Sequence, residues 1–395
     1  MGGRTVRGMR LLHTSDWHLG RMLHKVDLLE HQAAFADHLV QVVREQDVDV
    51  VVVAGDVYDR AIPPVEAVEL LSDLLARLAG RTTVVITSGN HDSATRLGFG
   101  AAVMRDRVRV RTAVARVGEP VVVDDVAVYA VPYLDPTTAR HQLVDDDGQM
   151  PERSHEAVLG AAMDRVRADL AQRGPVRSVV VAHACVVGAH LSDSERDIQV
   201  GGTDAVPGQV FAGVDYVALG HLHSPQQVVV PGPTVARYSG SPLAYSFAET
   251  EPKSSVLVEL DAGAVRTSLV PTPVPRRMSQ VTGRLADLLG ADGEPFVDDW
   301  LKVRVTDPAR PPDLVARLRR RFAHLLVVQH EPQADEQAAS CSIRSAVPAA
   351  DRPGADPLVV AGDFVAHVTG SGPSDAELAV LTCAYEDVLA TAATV

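Results

Sequence analysis

The hydrophobic pattern divides the chain into short, wholly apolar runs and longer stretches of helical period. Val50–Asp59 (VVVVAGDVYD) opens with four valines in a row, which no amphipathic helix face accommodates. β-Branched residues in such a run predict a strand buried on both faces. Arg10–Thr14 (RLLHT) and Thr83–Thr87 (TVVIT) are of the same kind. Between them, Asp27–Gln46 places Leu28, Leu29, Phe35, Ala36, Leu39 and Val42 at helical spacing. Pro63-Pro64 opens a second helix over Val65–Ala79, since proline suits the first helical turn. The order β-α-β-α-β predicts a parallel layered sheet.

Further on, Val108–Val131 reads as short strands and Ser154–Gln172 as a helix stopped by Gly174-Pro175. Ser178–Ala182 (SVVVA) and Tyr216–Leu219 (YVAL) are two more buried strands, separated by a long polar, glycine-rich loop over 188–210. The composition changes at Pro271–Pro275 (PTPVP), a stiff hinge that closes a first domain spanning 1–270. Over 276–330 the strands Gln280–Gly283, Trp300–Val305 and Leu325–Gln329 alternate with helices at Arg284–Leu289 and Pro312–Phe322, a small α+β domain. Residues 331–357, rich in Ala, Ser, Pro and Asp, read as a linker. The tail 358–395 reads as a helical segment, with helices over Leu358–Val368 and Asp375–Thr391.

Composition adds little to this and excludes some classes. An apolar share of 46% and a charged share of 22% are ordinary for a globular chain, and no apolar run is long enough to span a bilayer. The opening MGGRTVRG has no apolar core, so no signal peptide is expected; Met9 is an alternative start. Cys185, Cys341 and Cys383 are scattered without C-x-x-C spacing, which argues against disulfides and a zinc-thiolate site and makes a reducing cytoplasm the default. A formal charge of −14 argues against generic nucleic-acid binding but leaves room for an enzyme that grips DNA locally.

The chemistry gathers where the apolar strands stop. Asp16 and His18 follow the first strand, Asp56 the second, Asn90 and His91 the third, His183 the fourth, and His221 and His223 the fifth. In open α/β sheets the carboxyl ends of the strands are where ligands bind. A buried carboxylate there needs a partner. Mixed imidazole, carboxylate and amide donors without thiolate suit manganese, iron, zinc or magnesium. Eight such residues are too many for one ion and suit two, with Asp56 as the bridge; two ions about 4 Å apart can clamp and polarise a phosphate. Asp59 either orients substrate or water, or caps the turn before Pro63. Arg60 and Arg96 are candidate phosphate contacts.

In this order, D-x-H, G-D-x-x-D, G-N-H-D, a lone His and G-H-x-H resemble the calcineurin-type metallophosphoesterases. LLHTSDWHLGR, AGDVYDRAIPP, SGNHDS, DSERDIQVGGTDAVP and YSGSPLAYSF resemble, within them, the nuclease subunits of bacterial SbcC–SbcD complexes. The resemblance implies an α/β fold, a layered β-sandwich flanked by helices, with the small α+β domain capping the site and the last helices docking an SbcC-type ATPase. It implies one metal on Asp16, His18, Asp56 and His223, and a second on Asp56, Asn90, His183 and His221. His91 would contact the scissile phosphate and protonate the leaving oxygen. The implied activity is a manganese-dependent double-strand 3′–5′ exonuclease and single-strand or hairpin endonuclease. The expected partners are DNA ends and hairpins and a second copy of the chain within a heterotetramer, with no membrane. Two other readings stay open: a small-molecule (cyclic nucleotide) phosphodiesterase using the same metals, and a non-enzymatic adaptor for a coiled-coil partner.

Overall fold

A computed structural model describes residues 8–104, 107–187, 189, 205–261, 263–332, 357–369 and 371–392. Most of the DSERDIQVGGTDAVP stretch and of the expected 331–357 linker lies outside the described residues. The chain divides into two compact units, one running to Arg304 and including Asp313–Gln329, the other made of Val305–Pro312 and the chain from His330 onward.

The first unit is built on two six-stranded sheets packed face to face. One holds β1 (Met9–Thr14), β2 (Val50–Ala54), β3 (Thr83–Thr87) and β4 (Val108–Val110), all parallel. The other holds β5 (Val121–Val123), β6 (Val126–Val131), β7 (Arg177–His183), β8 (Tyr216–Gly220), β9 (Gln226–Val228) and β10 (Val235–Tyr238), with β6, β7, β8 and β10 mutually parallel. A hairpin, β11 (Ser254–Asp261) and β12 (Ala264–Pro271), returns to the first sheet antiparallel to β1 and completes the order β12-β11-β1-β2-β3-β4.

Alternation along each strand sets the layers. Leu11, Val50, Val52, Ala54 and Val85 face Val128, Val179, Val181, Tyr216 and Ala218 across one buried core. The opposite residues, Leu12, Val51, Val53 and Ile86, pack under α1 (Leu29–Glu45) and α2 (Val65–Ala79) through Phe35, Leu39, Leu71 and Leu74. Tyr129, Val180, Val217 and Leu219 do the same under α3 (His155–Arg173), whose Ser154 hydroxyl caps the Ala157 N–H. The run of valines in β2 is therefore covered on both sides, as its composition predicts.

The four strands β9 to β12 have no counterpart in the sequence reading. Their runs are short or alternate with polar residues, and β12 is largely exposed at the sheet edge, so the apolar signal is weak there.

The sheets approach closely at the carboxyl ends of the parallel strands. A Cβ on Gly220 would overlap the Ala54 carbonyl oxygen. Gly55, at φ +84°, turns the chain immediately after β2 in a conformation that favours glycine. His13 bridges the same gap: its Nε2 donates to the Leu219 carbonyl at 3.1 Å, and its Nδ1 accepts from the Tyr216 hydroxyl at 2.9 Å.

Beside these sheets β13 (Met278–Gly283), β14 (Trp300–Val305) and β15 (Leu325–His330) form a three-stranded sheet with α4 (Leu285–Leu289) and α5 (Leu314–Arg321). Trp300, Met278 and Leu326 pack with Leu23, Leu28, Leu243 and Tyr245. In the second unit, α6 (Pro357–Thr369) and α7 (Asp375–Ala392) pack on each other. Ser374 and Glu377 form a reciprocal cap at the start of α7. Val359, Phe364, Val368, Leu378 and Val380 of these helices are exposed. No helix of the described residues is long and apolar enough to cross a membrane.

Burial holds the pKa of His13 down at about 3, against 6.5 unperturbed. Above pH 6.5 the group is neutral folded or unfolded and contributes nothing to pH dependence. Below it the unfolded chain takes up a proton that the folded one refuses, so stability falls by about 1.4 kcal/mol per pH unit toward pH 3. Denaturant unfolding of metal-free protein between pH 7.5 and 5 should show this acid-side loss, with a shallower slope in His13→Gln. Equal slopes in the two proteins would refute it.

Candidate metal centre

Each strand that stops at this edge hands its next residues to one cluster. After β1 the chain turns through Asp16 (φ 54°) and His18 (φ 44°); after β2 it turns through Asp56 (φ 48°); after β8, through His221 (φ 111°). Left-handed backbone at non-glycine residues is costly and collects at functional sites. Cross-links between the loops hold it here. The Asp16 N–H donates to the Gly55 carbonyl at 3.1 Å, and the His18 N–H to the Asp56 carbonyl at 3.0 Å. The Asp92 carboxylate accepts from the N–H groups of Val57, Tyr58 and Gly89, tying the loop after β2 to the loop after β3.

Asp16, His18, Asp56, His183, His221 and His223 are buried and Asn90 is half-buried, and the structure brings all seven together. Ligand atoms of Asp16, His18 and His223 lie within 4.8 Å of one another, as do those of Asp16, Asp56 and His183. Asp16 belongs to both sets, and Asp56, a member of the second, also reaches His18 of the first. Asp56 Oδ2 is 3.6 Å from His18 Nε2, 3.6 Å from His183 Nε2 and 3.9 Å from His91 Nε2. His18 Nε2 and His223 Nε2 face each other at 3.1 Å, and His183 Nε2 is 2.9 Å from Asn90 Oδ1. His221 packs its ring 5.4 Å from that of His183, and its backbone N–H donates to the Asp16 carboxylate.

The protonation pattern fits divalent cations. Burial above all, with the neighbouring imidazoles, pushes the pKa of His18 and His221 well down, and burial lowers that of His183. At neutral pH these rings are uncharged and carry a nitrogen lone pair. The outer nitrogens are already committed: His183 Nδ1 donates to the Ala54 carbonyl at 2.9 Å, and His223 Nδ1 to the Glu249 carboxylate at 3.2 Å. That leaves His183 Nε2 as an acceptor aimed inward and turns His223 Nε2 toward the same space, the arrangement found around metal-bound histidines. Facing acceptors with two carboxylates among them are satisfied by cations.

His91 stands beside this set rather than in it. Its Nδ1 donates to the Asp59 carbonyl at 2.8 Å and its N–H to the Asp56 carboxylate at 2.9 Å. A carbonyl only accepts, so the proton sits on Nδ1 and Nε2 turns toward the cluster. Asp59 is more than a turn cap. Its carboxylate lies 3.6 Å from His18 Nδ1, a buried nitrogen without a hydrogen bond, and 3.3 Å from Arg21. Arg60 is 3.5 Å from Asp59 and 69% exposed at the rim. Arg96 bonds the Ala61 carbonyl and lines an apolar groove with Phe99 and Met104.

The motif reading passed over Arg21, Tyr245, Glu249 and Lys253. The Tyr245 ring stands edge-on to His18 and His223, 5.2 and 5.4 Å between centroids, with Arg21 4.8 Å over its face. Tyr245 falls within YSGSPLAYSF and Glu249 just after it, away from any strand end, so ligand spacing gave no signal for either.

The family model for calcineurin-like phosphoesterases matches residues 9–225. The chain belongs to this family. A second model, SbcD_C, described as type 5 capsule protein repressor C-terminal domain, matches residues 274–365 of this calcineurin-like phosphoesterase. Solved structures similar to it include TT1561 of Thermus thermophilus (14% identity, 66% of this chain and 99% of that one, TM-score 0.40). Others are a dimetal phosphatase from Danio rerio (12%, 68% and 98%, 0.43) and the nuclease MPE of Pseudomonas putida (15%, 65% and 87%, 0.23). At these scores membership rests on the family match alone.

Calcineurin-like phosphoesterases hydrolyse phosphoesters with divalent metals, and bound ions supply charge neutralisation of the phosphate and activation of water near neutral pH. Replacing Asp56 by Asn keeps the acceptor for the His91 N–H and removes the charge that lies 3.6 Å from both His18 and His183. The variant should fold normally and bind manganese far more weakly at both positions. The loss should exceed the roughly 10–100-fold usual for removing an outer partner of a ligand. Calorimetric titration with manganese reads this, and normal occupancy of two ions would overturn the bridging role.

Proposed function

We propose that this phosphoesterase is the nuclease subunit of a two-component DNA-processing machine, of the SbcC–SbcD kind. It would act with an SbcC-type ATPase in DNA repair and recombination in the cytoplasm. The observation that carries the reading is the pairing of a phosphoesterase metal centre with the SbcD_C match in one chain. On this reading the substrates are DNA ends and hairpins, cut as a double-strand 3′–5′ exonuclease and a single-strand or hairpin endonuclease, with two manganese ions as cofactors. The domain plan follows: a nuclease domain over 1–270, a capping domain over 276–330, and a docking segment over 358–395.

The chain's own residues take distinct parts in this reaction. Asp16, His18, Asp56 and His223 would hold one ion, and Asp56, Asn90, His183 and His221 the other. His91, with Nδ1–H fixed on the Asp59 carbonyl, presents Nε2 to the substrate phosphate; as the imidazolium, protonated on both nitrogens, it would pass the Nε2 proton to the leaving oxygen and be left neutral with Nδ1–H in place. Arg21 and Arg60, both held by Asp59, stand where they can meet flanking phosphates. Arg96, whose guanidinium donates to the Ala61 carbonyl next to Arg60, is the third candidate for such a contact.

Two apolar surfaces support the expected partners. Exposed side chains on α6 and α7 suit a coiled-coil surface of the ATPase. Val68, Phe99 and Met104 are exposed in a groove of about 430 Å³ lined also by Leu71 and Leu75, which suits a second copy of the chain.

An end-labelled DNA hairpin, incubated with the chain, its ATPase and manganese, should be opened. His91→Ala should keep both ions and lower the cleavage rate by ~10²–10⁴-fold, the range of a general acid. Intact DNA with the wild-type complex would end the nuclease reading; full activity in His91→Ala would end the acid assignment. Deleting residues 358–395 should abolish co-purification with the ATPase while leaving metal binding unchanged, and retained co-purification would remove the docking role.

A further inference from the structure

Beyond the ligands, a buried charged network lies on the far side of His223. Glu249 has a fully buried side chain, and Lys253 is 4% exposed. Glu249 Oε1 accepts from His223 Nδ1 at 3.2 Å and from the Tyr245 N–H at 3.2 Å. Lys253 Nζ donates to the other carboxylate oxygen, to the His223 carbonyl at 2.9 Å and to the Ser241 hydroxyl at 3.0 Å. Burying a carboxylate and an ammonium together is expensive and seldom contributes net stability. A pair placed against a ligand imidazole therefore calls for a reason other than stability. The same loop is braced from outside: Leu243 and Tyr245 pack with Trp300 of the three-stranded sheet, and the Gln280 amide donates to the Phe247 carbonyl at 2.8 Å.

We infer that Glu249 is a positioning residue for the metal centre, fixing His223 in the tautomer with Nδ1 protonated and Nε2 bare. Lys253 gives Glu249 its counter-charge and pins the His223 backbone to the same point. The role rests on the two-metal reading of the site, since only a bare Nε2 can serve as a ligand. The three-stranded sheet acts through the loop it braces, so a cap that also holds Tyr245 and Glu249 steadies one of the two ion positions.

The test uses the full chain. Glu249→Gln alone leaves the Lys253 cation buried without its counter-charge and is expected to unfold more easily. The double variant Glu249→Gln/Lys253→Met removes both charges and keeps the volume close to that of the wild type. Two readouts decide. Manganese titration should give two ions in the wild type and, in the double variant, one ion of normal affinity with the other weakened ~10–100-fold. Nitrogen-15 spectra of the histidines in metal-free protein, with His223 assigned by its loss in His223→Gln, should show Nδ1–H in the wild type and a mixture in the double variant. Wild-type affinity for both ions, or an unchanged tautomer, in the folded double variant overturns the proposal. A wild-type chain that takes up no manganese overturns the two-metal reading instead, and the tautomer measurement still decides the part played by Glu249.

Discussion

The whole arrangement depends on how closely the two sheets meet at one edge. Gly220 lies against the Ala54 carbonyl with no room for a side chain, and the same carbonyl accepts from His183 Nδ1. That contact brings the loops after β1, β2 and β3 within ligand distance of the ends of β7 and β8. Moving the sheets apart by the width of one methyl group would separate Asp56 from His183. The valine-rich strands set the spacing elsewhere by ordinary packing of inward side chains, about 10 Å between sheets. Only where the side chains run out, at glycine, can backbone from one sheet touch imidazole from the other.

What this contact encloses is an electrostatic problem. Asp16 and Asp56 are buried, and the imidazoles around them are held neutral by that burial, so they offer lone pairs where the carboxylates need positive charge. Four loop residues are held at positive φ to bring this about. Hydrogen bonds from the Ser15 hydroxyl and the N–H groups of His221 and His91 meet the carboxylates, but neutral donors do not balance their charge. Divalent cations, which the family binds, would supply that charge, and the β-sandwich, folded around its three apolar clusters, offsets the strain.

How much of this the sequence carried varies with the physics of each part. Strands buried on both faces announce themselves, and β1, β2, β3, β7 and β8 could be read almost to the residue, together with the donors at their ends. α2 was equally plain because prolines mark its start. The strands β9 to β12 were not legible: β9 and β12 are edge strands that share their polar pattern with loops, β10 is short, and the apolar run of β11 is broken by Ser254, Ser255 and Glu259. The ligand set was legible because donor types recur at strand ends. The partners of those ligands were not. Glu249, Lys253 and Arg21 are ordinary charged residues in the sequence and acquire meaning only from what they touch. The same holds for Arg96, which reads as a cation close to Asn90 and His91 and whose side chain donates to the Ala61 carbonyl.

The segment from Ser239 to Lys253 belongs with the ligand loops as part of the centre. Ser239 shares a hydrogen bond with Ser15, whose hydroxyl donates to Asp16 at 2.5 Å; Tyr245 donates to the Trp17 carbonyl at 2.6 Å; Glu249 holds His223. It contributes no ligand of its own, yet it touches the residue, or the neighbour, of three ligands. It is also where the three-stranded sheet bears on the larger body, through Leu243 and Tyr245. The two halves of the centre are unequal in this respect: His183 is held at the contact between the sheets, whereas Asp16, His18 and His223 also lean on a loop that packs against the three-stranded sheet.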